Sequence, residues 1–77
     1  MPLYYFHVRD GELFLEDKDG TDLPDLEAAF AEAREAAREI AADSLKSNEA
    51  IDGRRIEIAD GSGKMLGDLA VREVVDR

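Results

Sequence analysis

The sequence has no cysteine and a single histidine, His7. Without thiols there is neither a disulfide framework nor a thiolate metal site, and one imidazole does not build a usual transition-metal site. No apolar run approaches the length of a membrane span. The opening residues, Met1-Pro2-Leu3-Tyr4-Tyr5, lack the basic segment and cleavage site of a secretory signal. The expectation is a cytoplasmic protein with no membrane partner. Basic residues are also scarce, 10 against 19 acids, and no Lys/Arg stripe offsets the net charge of −9. Such a surface repels a phosphate backbone, which argues against nucleic acid as a partner. Repeats, linkers and low-complexity tracts are missing too, so residues 1–77 read as one domain. A chain this short buries roughly 60% of the surface its unfolded form exposes, so its margin of stability is thin.

The acids that are present are unevenly placed. Asp10 to Glu27 holds eight of them against Lys18 alone, a net of −7 within the total of −9. Glu16, Asp17, Asp19, Asp22 and Asp25 therefore form a candidate acidic docking surface for a basic protein. Solubility alone is the competing explanation, because charge runs usually mark solvated faces.

Leu3 to Arg9 is rich in aromatic and branched residues and stops at Asp10-Gly11, a strong hairpin signal. A two-residue loop at Asp10-Gly11 predicts that Arg9 faces Glu12, Val8 faces Leu13 and His7 faces Phe14. Alternation then sorts the hairpin into two faces. Tyr4, Phe6, Val8, Leu13 and Leu15 form the expected core face. Leu3, Tyr5, His7 and Phe14 form an aromatic patch on the other. After the turn Glu16–Gly20, a helix is expected from about Pro24 or Asp25 to Ser47-Asn48, with Asp25 able to cap it. Its apolar positions, 26, 29, 30, 33, 37, 40, 41 and 45, keep helical spacing. The stripe is alanine-heavy, which lets a helix lie close to a sheet. A connector, Glu49 to Gly53, leads into a strand from Arg54 to Ala59 with Ile56 and Ile58 inward.

A four-residue loop at Asp60–Gly63 predicts Ile58 opposite Met65, Ile56 opposite Gly67 and Arg55 across from Asp68, with Leu69 and Val71 continuing the apolar face. A five-residue loop would instead set Ile56 against Asp68 and is rejected on that ground. Gly67 within the strand signals a bulge or a close helix approach. Arg72 to Arg77 reads as a final helical turn, with Val74 and Val75 over an open edge of the core. The sum is an α+β fold of ββαββ type: a four-stranded antiparallel sheet with one long helix on one face.

No pattern carries catalysis. Aligned on Gly20 as a calcium loop, the acidic turn places Leu15 and Leu26 where acids are needed. His7 has Phe14 and Tyr5 for neighbours, which reads as packing. Ser44, Ser47 and Ser62 sit in no nucleophile motif, and Asp60–Lys64 lacks phosphate-loop spacing and leads into a strand. The expectation is a non-enzyme with no catalytic, cofactor or metal residues. A lone helix covers one face of a sheet, so the Leu3/Tyr5/His7/Phe14 patch is a candidate interface, with a sheet-on-sheet homodimer as one way to cover it.

The run Pro2-Leu3-Tyr4-Tyr5-Phe6-His7-Val8-Arg9-Asp10-Gly11, with Asp19-Gly20, Leu23–Ala29 and the turns Asp52-Gly53-Arg54 and Asp60–Gly63, resembles a family of short bacterial proteins. That family is classed as a domain of unknown function and is common in soil and plant-associated bacteria, and the resemblance implies no activity or site. The first half, with an aromatic hairpin before Asp25-Leu26-Glu27-Ala28-Ala29-Phe30-Ala31-Glu32-Ala33, also resembles the N-terminal domain of HicB-type antitoxins. It departs from them in showing no strand before the helix. That resemblance implies an acidic protein that neutralises a basic ribonuclease toxin by direct binding. Three functions follow in order: an acidic protein–protein interaction module, an antitoxin-like inhibitor, and a small metal- or metabolite-binding protein.

Overall fold

Aromatic and branched side chains favour a pleated, half-buried surface, and Leu3–Asp10 forms the eight-residue strand β1. The computed structural model describes residues 2–47 and 53–75. Asn48, the connector residues Glu49–Asp52 and the last two residues of the expected terminal turn lie outside the described residues, as do the side chains of Leu45, Ser47 and Val75. The remaining elements are β2 (Leu13–Leu15), β3 (Thr21–Asp22), α1 (Leu26–Ser47), β4 (Arg54–Ala59), β5 (Met65–Ala70) and α2 (Val71–Val75). All strand pairs are antiparallel, in the order β2-β1-β4-β5, with β3 also paired to β1. The fold is α+β as expected. Among the described residues the sheet has five strands where four were expected, because Thr21–Asp22 pairs with Tyr4 and Leu3. Two side-by-side residues carry too little periodicity to read as a strand.

The first hairpin is shifted by two residues from the expected register. Asp10 pairs with Leu13, Arg9 with Phe14 and Val8 with Leu15. Gly11 and Glu12 are the loop, and Gly11, at φ 63°, supplies the positive φ that a primed turn needs at its first central position. Arg9 is therefore not opposite Glu12. A shift of two keeps every side chain on its expected face.

The second hairpin differs in a related way. Asp60 to Lys64 makes a five-residue loop, closed by the Asp60 N–H to the Lys64 carbonyl at 3.0 Å. Ala59 pairs with Met65 but Ile58 pairs with Gly67, so Leu66 is extra. This bulge restores the parity that a five-residue loop would otherwise break, and Ile56 faces Leu69, not Asp68 or Gly67. It also sends Met65 outward, 53% exposed, and packs Leu66 against the core in its place. Arg55 sits opposite Ala70, yet its guanidinium still reaches Asp68 diagonally at 2.8 Å.

Asp25 caps α1 by accepting the Ala28 N–H at 2.9 Å, so the helix begins one residue later and Pro24 precedes it. Ala29, Ala33, Ala37 and Ala41 are buried, one above another, and let α1 approach the sheet closely. Phe30 lies over Gly67, where an added Cβ would sit 2.6 Å from the ring. Ile56, Ile58 and Val71 are the large fully buried apolar side chains. Val71 does not extend β5. It starts α2, a second helix, whose Val74 packs on the core.

α1 packs chiefly on β4, β5 and α2. A helix is about 10 Å across and strands lie about 4.8 Å apart, so one helix covers about two strands. Strand β2 lies past that cover. Leu13 and Leu15, expected in the core, are exposed at 56% and 55%, and Leu26 at the helix start is exposed as well.

Candidate functional site

The aromatic patch is assembled largely as its alternation predicts. The Tyr5 and His7 rings stack with centroids 6.4 Å apart, and His7 meets Phe14 at 5.2 Å, tilted by 50°. Arg9 lies 4.7 Å over the Phe14 ring while its Nε donates to Glu57 at 2.7 Å. This cation–π and ion-pair chain closes one end of the patch. Leu3 stands near the other end, exposed and opposite Asp22. The patch is narrow. On the same face β4 and β5 carry Glu57, Arg55 and Asp68, engaged in ion pairs.

The acidic residues separate into two kinds. Asp17 and Asp25 are turned onto backbone. Asp17 accepts the Phe6 N–H at 3.0 Å, the Asp19 N–H at 3.1 Å and the Gly20 N–H at 3.3 Å. Burial pushes its carboxyl up, but these donors and the nearby His7 outweigh that and hold it below the ordinary value of 3.8. The Asp17 N–H in turn donates to His7 Nδ1 at 3.0 Å, which leaves the neutral ring's proton on Nε2. Asp17 thus bridges the gap between β2 and β3, where β1 would otherwise have a bare edge. Gly20, at φ 75°, lies under the Tyr5 ring, where a Cβ would meet Cε2 at 2.9 Å. Glu16, Asp19 and Asp22 are exposed, as is Glu12. They form the acidic rim.

Ser44 and Ser62 are placed by structural contacts. Ser44 is buried and accepts from Arg54 at 2.8 Å, and Arg54 also reaches Asp10 at 3.2 Å, tying the end of α1 to the first hairpin. Ser62 donates its hydroxyl to Asp60 at 2.7 Å in an exposed turn. That hydroxyl, with the Lys64 and Ser62 backbone N–H groups, holds the Asp60 carboxyl below its ordinary value. Among the described residues no group of three His, Cys, Asp or Glu side chains converges to hold a metal ion, and no helix is long and apolar enough to cross a membrane.

The feature missed in the sequence is that strand β2 stays uncovered. Leu13, Phe14 and Leu15 are all exposed, at 56%, 41% and 55%, on the outermost strand of the sheet. Leu13 and Leu15 border a recess of about 200 Å³ with Val8 and Ile40, closed at its polar end by Asp10 and Arg54. Alternation marks these leucines as facing the helix side. The width of one helix against a sheet this broad is the signal that they stay uncovered. The arrangement can hold apolar side chains beside an open strand edge.

No curated protein and no solved structure matches the chain. Residues 3–72 match a family described as a domain of unknown function, DUF6894, and the chain belongs to that family.

Proposed function

We infer that the protein is a small non-catalytic module that binds another protein through strand β2 and the recess beside it. The observation that carries this reading is the run of three exposed apolar side chains, Leu13, Phe14 and Leu15, on an outer strand. Natural sheet edges are normally charged, bulged or covered, because an open apolar edge invites pairing. Full burial of such a side chain is worth about 1.5–3 kcal/mol, so three of them supply a useful contact. The acidic rim of Glu12, Glu16, Asp19 and Asp22 keeps the free form soluble and suits a basic partner. The lack of cysteine fits a cytoplasmic setting. Both an unlike basic protein and a second copy fit this reading.

The test is recovery of the tagged protein from its own lysate at moderate salt, beside its native mass. The parent should return with one stoichiometric protein or run as a dimer. A variant carrying Leu13→Lys and Leu15→Lys should lose that partner with its melting temperature unchanged. A parent that is monomeric and returns alone, or a partner kept by the variant, would defeat the reading.

An antitoxin-like inhibitor of a basic ribonuclease is the second reading. It is favoured by β3, which supplies a short strand ahead of α1. Normal growth on expressing a neighbouring small basic reading frame alone would remove it.

A further inference from the structure

We propose that the outer edge of β2 takes up an extended segment of a basic partner as an added strand, with the pattern Lys/Arg, three apolar residues, Lys/Arg. The proposal rests on the protein-binding reading above and specifies the partner's chemistry.

Backbone direction is the first support. In a strand, successive residues aim their N–H and C=O groups to opposite sides. Phe6 donates its N–H to Asp17, which lies on the β2/β3 side of β1. The even-numbered residues of β1 therefore face that side, and Arg9 faces β4. Phe14 stands opposite Arg9, so it is the residue of β2 that makes no ladder bond to β1. Its N–H and C=O point away, toward the open edge. A strand laid there finds a donor and an acceptor already in line.

Side chains give the second support. On the helix side, an apolar residue on either flank of the added strand's centre lies against Leu13 or Leu15 and beside the recess of about 200 Å³. On the other side its central residue lies by Phe14, whose ring is already braced by Arg9 at 4.7 Å. Beyond this three-residue stretch come Glu12 and Glu16, both exposed, within a segment of net charge −7 from Asp10 to Glu27.

Charge then chooses the occupant. A second copy paired antiparallel about Phe14 would bring Glu12, in the loop of one chain, toward Glu16 of the other, at both ends. Like charges brought together at the ends of a strand pair destabilise it. A segment with Lys or Arg at those two positions turns both contacts attractive while keeping the apolar centre.

The test uses the full chain, labelled for amide NMR, and two nine-residue peptides with cores Lys-Val-Val-Val-Lys and Glu-Val-Val-Val-Glu between threonines. With nine-tenths of the protein bound, the lysine peptide should slow hydrogen exchange of the Phe14 amide about ten-fold. The glutamate peptide should leave it unchanged. Glu12→Lys with Glu16→Lys should exchange these preferences. Phe14→Pro removes the outward N–H at an edge position that tolerates proline, and should abolish binding of the lysine peptide; Phe14→Ala, which keeps the N–H, should retain part of it.

Equal responses to the two peptides, no response to either, or changes confined to Tyr5, His7 and α1 would overturn the proposal. So would Phe14 protection that rises with protein concentration in the absence of peptide, since a second copy would then hold the edge. A lysate partner retained by Phe14→Pro would end the edge proposal and leave the protein-binding reading standing. A parent chain that is monomeric and partnerless would end that reading itself.

Discussion

One carboxylate, that of Asp17, satisfies three backbone donors, and the strand edge beneath it depends on them. Replacing it with Asn leaves an amide that cannot accept on both sides, so the half-buried Phe6 N–H or the Asp19–Gly20 turn loses its acceptor. Asp17→Asn should cost about 1–2 kcal/mol at pH 7, read from urea midpoints. The folded pKa is lowered, so this stabilisation is complete above the ordinary value of 3.8 and is lost as pH falls through the lower folded value. Parent and variant should therefore converge in acid. A difference that persists undiminished below both values would mean that the carboxylate charge is not what Asp17 contributes. Asp25 is simpler: it caps α1 through one bond to Ala28, and Asp25→Ala should cost about 1 kcal/mol by the same measurement.

At the scale of elements, the contact between α1 and β5 turns on Phe30 above Gly67. A Cβ at Gly67 would lie 2.6 Å from Phe30 Cζ, so Gly67→Ala should destabilise by about 1–3 kcal/mol. Adding Phe30→Leu should recover part of that loss. If the double variant is no more stable than Gly67→Ala alone, the clash is not the cause. Gly67 was legible in the sequence as a bulge or a close approach, and both occur: Leu66 is the extra residue and Phe30 the close neighbour. The hairpin registers were not legible. In each hairpin the turn signal marks a place in the chain, while the pairs that close the loop depend on which residue takes positive φ and where a bulge falls. Gly11 as first loop residue moves the first pairing by two from the expected register, and in the second hairpin the fifth loop residue and the Leu66 bulge move it by one each. Faces survived both shifts because a strand repeats every two residues. Only Met65 and Leu66, at the bulge itself, exchanged places.

Across the whole molecule, one helix and a short second one cover a sheet that is wider than they are. Strand alternation assigns Leu13 and Leu15 to the correct side, but coverage is a property of strand order, and order is not written in the spacing of residues. The Tyr5, His7 and Phe14 contacts were legible because neighbouring strands of a hairpin bring alternate residues together in either register. The uncovered position of β2 has a measurable consequence. Leu13→Lys or Leu15→Lys should change stability by no more than about 0.5 kcal/mol, the range of an ordinary surface substitution, whereas Ile58→Ala, at a fully buried site, should cost about 2–5 kcal/mol. Thermal or urea unfolding of the three variants tests the contrast. A large loss at Leu13 or Leu15 would place both residues back in the core.

The alanines at 29, 33, 37 and 41 are equal rungs on one side of a ladder, and equal rungs carry no address. Sliding α1 along its axis by one rung, about 6 Å, would bring alanine where alanine was. What tells the helix where to stop is the uneven furniture beside the rungs: a phenylalanine that fits only above a strand glycine, and a buried serine held by Arg54. These few contacts act as the pawl of a ratchet. With Phe30→Ala and Ser44→Ala together, the same close-packed surface would tolerate more than one seating of the helix, and the chain would lose a single address before it lost its fold.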